Sequence, residues 1–352
     1  MVGRPGIKEV AAASGVSIKT VSRVVNGESS VRPATRSRVR AAIDELGYIP
    51  NTAARSLKSG TGRVIGIVID SLADPFFAAL VSAIERRALG EGLGIVVAST
   101  GQDVDREREQ LLLLLSGHRA AGVIFAPVTD SHPYLQAYRE STPIVAVDRA
   151  HPDFDSVVVD DFEATRTAIG QLVNNGHRRI AFLYREQRYG AISRRYSGYL
   201  WVLTESGILF DPELVLYDRS GGHDFTDEDY VTEINRLFSL ATPPTALFAA
   251  NMRAAVGIIG ALHQARRAGT AMIAFGNVPL AGAFTPAISC INQDPYAIGN
   301  AAIERLLALR STPGESREKP RELVIPTSLI RRGSGEIFGP YHSSRSGEKP
   351  TS

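Results

Sequence analysis

Cysteine is nearly absent. Cys290 stands alone among 352 residues, which excludes an internal disulfide framework and a cysteine-based zinc site; the lone thiol follows an apolar strand pattern and reads as inert core. No apolar stretch approaches the ~20 residues that a membrane helix requires. The leucine run at 111–115 follows the charged segment 106–110 and reads as the buried side of a helix. The N-terminus is polar and basic, without the apolar core of a secretory signal, which points to the cytoplasm. Enzyme signatures are missing too. There is no Gly-x-Ser-x-Gly elbow, no Gly-x-x-x-x-Gly-Lys-Ser/Thr phosphate loop and no His-Glu-x-x-His pair. The seven histidines are scattered, and His177 reads as structural. Nothing calls for a metal or a cofactor, and no membrane partner is expected. The length allows two or three compact units.

What is present is unevenly spread. Residues 1–63 hold 11 Lys and Arg against 4 acids, a net charge of +7. The whole chain has 39 basic and 37 acidic residues, which leaves 28 basic and 33 acidic residues in the rest. A basic head on an acidic body is the charge footprint of a nucleic-acid module.

The head has the spacing of a helix-turn-helix. Ala11 is small enough for a second helix to pack close, and Gly15 can take the positive φ of a tight turn. Ser17 can cap the second helix. At 100° per residue, Val21, Val24 and Val25 share one face of that helix. Lys19, Ser22, Arg23 and Asn26 share the other, with donors and acceptors suited to base edges and phosphates. Ser17, Ile18 and Thr20 open the same helix and count among the expected DNA contacts, and Ile18 can meet a thymine methyl. A third helix is expected from a cap near Thr35, after Pro33. Val39, Ala42, Ile43 and Leu46 form its apolar stripe, and Gly47 ends it.

From Val64 onward, β-branched runs alternate with helical patterns. Strands are expected at 64–70, 94–99, 122–126, 143–148, 156–160, 179–184, 214–217, 245–249, 270–275 and 287–291. Helical periodicity lies between them, as at 76–89, 162–175 and 254–268. Such alternation means parallel sheets covered on both faces, here in two similar α/β lobes that part near Asp160-Asp161.

The run VSIKTVSRVVNG, the Tyr48-Ile49-Pro50-Asn51 turn and the Ala54-Arg55-Ser56-Leu57 segment resemble the lactose-repressor (LacI/GalR-type) family of transcription regulators. Further anchors are Asp74-Pro75-Phe76-Phe77, Val147-Asp148-Arg149, residues 176–182, residues 195–199 and Pro244-Thr245-Ala246. The similarity runs to about residue 333. It implies a helix-turn-helix domain (1–50), a hinge helix and linker (51–62), and a two-lobed core of the type I periplasmic-binding-protein fold (63–333). Lobe 1 would hold about 63–160 and 293–325, lobe 2 about 161–292 and 326–333, with three crossings near residues 160, 292 and 325. Residues 334–352, rich in Ser, Gly, Lys and Pro, are expected to be a disordered tail without tetramerising heptads.

The resemblance implies a repressor that binds double-stranded operator DNA as a homodimer and is controlled by a small-molecule effector in the cleft. In the family the hinge leucine, here Leu57, wedges into the minor groove beside Ala54, and such wedges bend a flexible base step. The effector residues carried over are Asp74, Phe76, Asp148, Arg149, Arg195, Asn251 and Gln293. Blander roles stand beside these: Arg195 as an interlobe ion pair, Asp148 as a turn cap and Phe76 as core.

Two departures matter. The family has Asn-Asp where this chain has Asn251-Met252. Its Gly-Phe/Tyr-Asp-Asp is here Ala274-Phe275-Gly276-Asn277, so a sugar-binding carboxylate is missing at Gly276. With Arg149, Arg195, Arg185 and Arg253 kept, this points to a more positive cleft and an anionic effector. A neutral sugar, favoured by the family, and a cleft that has lost its ligand stay open beside it. A solute-binding protein serving a transporter is the rival class; the basic helix-turn-helix and the polar N-terminus oppose it. An enzyme built on this fold is a more distant third.

Overall fold

The computed structural model describes residues 5–25, 28, 30–48, 62–117, 120–184, 191–217, 226–311 and 319–342. The chain divides into two units, Met1–Thr61 and Gly62–Ser352.

In the first unit, α1 (Ile7–Ser14) ends on Gly15, whose φ of 63° turns the chain into α2 (Ile18–Val25). Ser17 caps α2: its Oγ accepts from the Thr20 N–H at 3.2 Å. The third helix, α3 (Pro33–Leu46), begins earlier than expected. Pro33 itself is its first residue, where a missing N–H costs nothing, and Arg32 rather than Thr35 holds the cap position. Gly47 closes it at φ 61°. Val10, Ala11, Val21, Val24, Val39 and Ala42 form the buried core of the unit.

The second unit contains two six-stranded sheets among the described residues. One has the order β11-β5-β4-β3-β1-β2, from β1 (Val64–Ile69), β2 (Gly94–Ser99), β3 (Gly122–Phe125), β4 (Ile144–Val147), β5 (Asp155–Val159) and β11 (Glu322–Ile325), all parallel. The other has the order β12-β10-β9-β8-β6-β7, from β6 (Ile180–Tyr184), β7 (Val215–Tyr217), β8 (Ala246–Ala249), β9 (Ala271–Phe275), β10 (Ser289–Asn292) and an antiparallel β12 (Ser328–Ile330). Helices α4 (Pro75–Gly90), α5 (Val104–Leu112) and α10 (Pro295–Ser311) pack with the first sheet. Helices α6 (Asp161–Asn174), α7 (Ala191–Glu205), α8 (Asp227–Phe238) and α9 (Met252–Gln264) belong with the second. The chain therefore passes between sheets after β5, after β10 and between β11 and β12. Central strands such as β3, β4, β8 and β9 are buried at every residue, as parallel strands under helices on both faces must be.

The C-terminal segment corrects an expectation. A disordered tail was to begin at 334, yet residues 334–342 are folded against the second lobe. Ser334 Oγ donates to Met272 O at 2.6 Å, and Ser289 Oγ donates to Glu336 Oε2 at 2.8 Å. Gly339 N–H donates to Asn175 O at 2.8 Å, and His177 Nε2 lies 3.0 Å from Ile337 O. Gly176, at φ 89°, has no room for a Cβ, which would stand 2.2 Å from His342 N. The Ser, Gly and Pro of this stretch hid a segment held by both side-chain and backbone hydrogen bonds to the second lobe.

Candidate functional site

Carboxyl ends of parallel strands present loops rather than side-chain-filled pleats, so ligands settle there. In the first lobe, Asp74 caps α4, its Oδ1 accepting from Phe76 N–H at 2.9 Å. Burial pushes its carboxyl up to about 6, with Asp148 and Asp70 adding to the rise, while the Phe76 N–H and Arg253 act against it. Phe76 is only 6% exposed and packs edge-on against Phe77 in the lobe core. A stacking platform needs an open ring face, and this ring offers little of one.

Asp148 follows β4 in a left-handed backbone, φ 65°, a conformation that marks a constrained position. Its Oδ2 lies 3.7 Å from Arg149 Nε. Arg149 is buried, and its Nη1 donates to Pro127 O at 2.5 Å. Asp70, at the end of β1, takes a hydrogen bond from Gln102 Nε2 at 3.1 Å, while its Oδ1 is buried without a partner.

In the second lobe, Arg195 of α7 lies over the Phe275 ring, 3.7 Å from its centroid. Its Nε donates to Asp161 Oδ1 at 2.7 Å and its Nη1 to Ala250 O at 2.6 Å. The pair is an internal tie of the second lobe, not a bridge between lobes. Asp161 is pushed up to about 6 by burial, against the pull of Arg195. Asn251 caps α9, its Oδ1 accepting from Ala254 N–H at 2.8 Å, which leaves Nδ2 as its available donor. Met252, Gly276 and Gln293 converge. A Cβ at Gly276 would stand 3.2 Å from Met252 Cβ and Cε and 3.6 Å from Gln293 Oε1. The two departures from the family pattern thus lie side by side, the Met252 side chain packed against the place where a side chain at 276 would start. The two lobes approach each other at Arg194 Nη1 and Glu322 Oε1, 3.8 Å apart.

The described arginines expected to make the cleft positive stand among carboxylates, Arg253 close enough to Asp74 to act on its proton. Arg195 is neutralised by Asp161, Arg149 lies beside Asp148, and Asp70 and Asp74 add two further carboxyls. Sequence reasoning missed Asp161, which it had used only to mark the lobe boundary, and it missed Phe275 beneath Arg195. Arg185 lies outside the described residues.

On the head, α2 exposes Ile18 (45%), Lys19 and Arg23, with Thr20 and Ser22 partly covered. Thr20 Oγ1 is 2.9 Å from Ser17 Oγ, so both hydroxyls are engaged at the helix start. Arg23 Nε is 3.5 Å from Glu28 Oε2. Asn26, Ala54 and Leu57 lie outside the described residues.

Residues 62–332 match the family model described as periplasmic binding proteins and sugar binding domain of LacI family, and residues 6–51 match that of bacterial regulatory proteins, lacI family. The HTH-type transcriptional repressor PurR of Mannheimia succiniciproducens is 32% identical over 334 residues, covering 92% of this chain and 98% of its own. The HTH-type transcriptional regulator CelR of Thermobifida fusca is 32% identical over 345 residues, covering 94% of this chain and 98% of its own. Among solved structures, the Lac repressor dimer bound to operator and the anti-inducer ONPF superposes with a TM-score of 0.78 at 26% identity, covering 96% of this chain and 100% of that one. The regulator CelR in complex with cellobiose gives 0.65 at 29% identity, covering 94% and 100%. With both of its parts matched in order along nearly the whole chain, this protein belongs to the LacI family of bacterial transcriptional regulators, DNA-binding proteins controlled by a small-molecule effector.

Proposed function

We propose that this regulator represses transcription as a homodimer on a near-palindromic operator, and that its effector is a neutral, hydroxyl-rich molecule of the sugar class. Two copies of a short recognition helix gain specificity by reading two half-sites about a two-fold axis. Ile18, Lys19 and Arg23 are the exposed reading residues, with the segment of Ala54 and Leu57 assigned to the minor groove on the family resemblance. The effector lies between the lobes, among Asp74, Asp148, Arg149, Arg195, Asn251 and Gln293, and leaves unchanged by any reaction. The observation that carries the effector class is the engagement of Arg195. With its guanidinium on Asp161 and Ala250 O, it has little charge left for an anion, whereas Asp74 and Asp148 accept hydrogen bonds from hydroxyls. The sugar in the CelR complex, cellobiose, is a first probe of this class.

The test begins with selection of the purified chain on sheared genomic DNA, followed by titration of the enriched operator complex with neutral sugars, cellobiose among them, and with the matching sugar phosphates. Release or tightening by a neutral sugar supports the reading. A response only to phosphates overturns the effector class, and no enriched near-palindrome with or without cell extract overturns the DNA reading.

A further inference from the structure

Behind the first-lobe wall runs a buried chain of three polar side chains that the site above does not use. Glu107 of α5, His132 after β3 and His151 after β4 are 0%, 1% and 4% exposed. His132 Nε2 lies 2.8 Å from Glu107 Oε2, and His132 Nδ1 lies 3.0 Å from His151 Nε2. The outer ends are fixed by backbone donors. Val128 N–H donates to Glu107 Oε1 at 2.8 Å, and Asp153 N–H donates to His151 Nδ1 at 3.1 Å.

These donors dictate the polarity. His151 Nδ1 is an acceptor, so a neutral His151 carries its proton on Nε2 and donates to His132 Nδ1. His132 then holds its proton on Nε2 and donates to Glu107. The reverse polarity would set a His151 Nδ1–H against the Asp153 N–H, two donors face to face. Around the chain stand the rings of Phe125, Tyr134 and Phe154, with Arg108 over Tyr134 and Asp130 and Asp153 as the nearby acids. Burial, and then His132, hold His151 down at about 4, in its neutral form.

The chain ties together the segments that follow β3 and β4. Those same segments carry Pro127 and Arg149, joined by the Arg149 Nη1 bond to Pro127 O. The Arg149 guanidinium makes only this hydrogen bond among the described residues; its buried Nε has none and lies 3.7 Å from Asp148 Oδ2. One bond and a loose ion contact do not fix a guanidinium. Its place is inherited from the two segments.

We propose that Glu107, His132 and His151 are positioning residues that hold the two segments in register and so aim Arg149 at the effector cleft. The functional consequence rests on the cleft reading above; the geometric claim does not.

The test uses the full chain labelled with 15N-arginine and 15N-histidine. Wild-type protein should show both histidines protonated at Nε2 and bare at Nδ1, and restricted, slowly exchanging Nη protons for Arg149. Glu107→Gln keeps the shape but offers His132 a donor where it needs an acceptor. Arg149 Nη exchange should rise about tenfold or more, as when a hydrogen-bonded support is lost. His132→Leu should do the same, whereas His132→Gln, which can both accept and donate, should restore the slow signal. A folded Glu107→Gln protein with Arg149 signals like the wild type overturns the proposal, as does a wild-type His151 protonated at Nδ1. If His132→Leu does not fold, the comparison of Glu107→Gln with His132→Gln decides. These signals need no effector, so failure of the sugar panel leaves them readable and marks a failure of the cleft reading alone.

Discussion

Asp74 sits in a burial conflict that makes a sharp prediction. Its folded pKa, raised to about 6 from 3.8, means that the fold favours its protonated form. The stability linked to that proton is complete below the unfolded value and is lost as pH rises through 6. Asp74→Asn keeps the acceptor for Phe76 N–H and removes the charge. It should stabilise the protein at pH 7.5 by up to about 3 kcal/mol, the worth of a two-unit shift. The gain should shrink towards pH 4, where the aspartate is itself neutral, and urea melts at both pH values read it. A pH-independent difference would contradict the assignment. On the head, the pair of Arg23 and Glu28 is half exposed, so it is weak. Glu28→Gln frees Arg23 and should tighten operator binding by up to about fivefold, as surface pairs are worth roughly 0.2–1 kcal/mol. Weaker binding on an operator titration would mean that Glu28 orients Arg23 rather than occupying it.

Helices and strands were legible wherever a local period governs them. The strand positions from β1 to β10 follow from β-branched runs, because parallel strands covered on both faces carry continuous apolar residues. The ends moved by a residue or two, as at Pro33, where the first-turn preference of proline outweighed a threonine cap. Residues 334–342 were misread because composition says nothing about backbone pairing with Asn175 and Gly176. Arg195 shows what an element can hide. It joins α7 to the start of α6 and to the carbonyl that follows β8. Arg195→Met leaves Asp161 buried without its cation and should cost about 3–5 kcal/mol. Adding Asp161→Asn should recover more than half of that loss in thermal or urea unfolding. Equal losses in the single and double variants would show that the ring contact with Phe275 matters more than the charge pair.

At the scale of the molecule, charge and chemistry are segregated. The basic head carries +7 over residues 1–63, and the remainder is acidic. Operator affinity should therefore fall steeply with salt, with a log–log slope of about −0.9 for each phosphate neutralised. Effector affinity should barely change between 50 and 200 mM salt, because the proposed effector is neutral and the charges around it are buried and paired. Fluorescence anisotropy for DNA and calorimetry for the effector separate the two. A flat DNA slope would remove the basic face from the account.

The amino-acid sequence by itself determined the order of modules, the two α/β lobes and the outward face of α2. Each of these depends on residues that are neighbours along the chain or on one helix turn. Only the tertiary structure decided which charges meet. Asp161 and Arg195 are 34 positions apart, Glu107 and His132 are 25 apart, and Met252, Gly276 and Gln293 come from a helix start and the ends of two strands. Whether an arginine is free for an anion, or a histidine can donate, depends on burial and on partners brought in by the fold. Local periodicity carries no record of either.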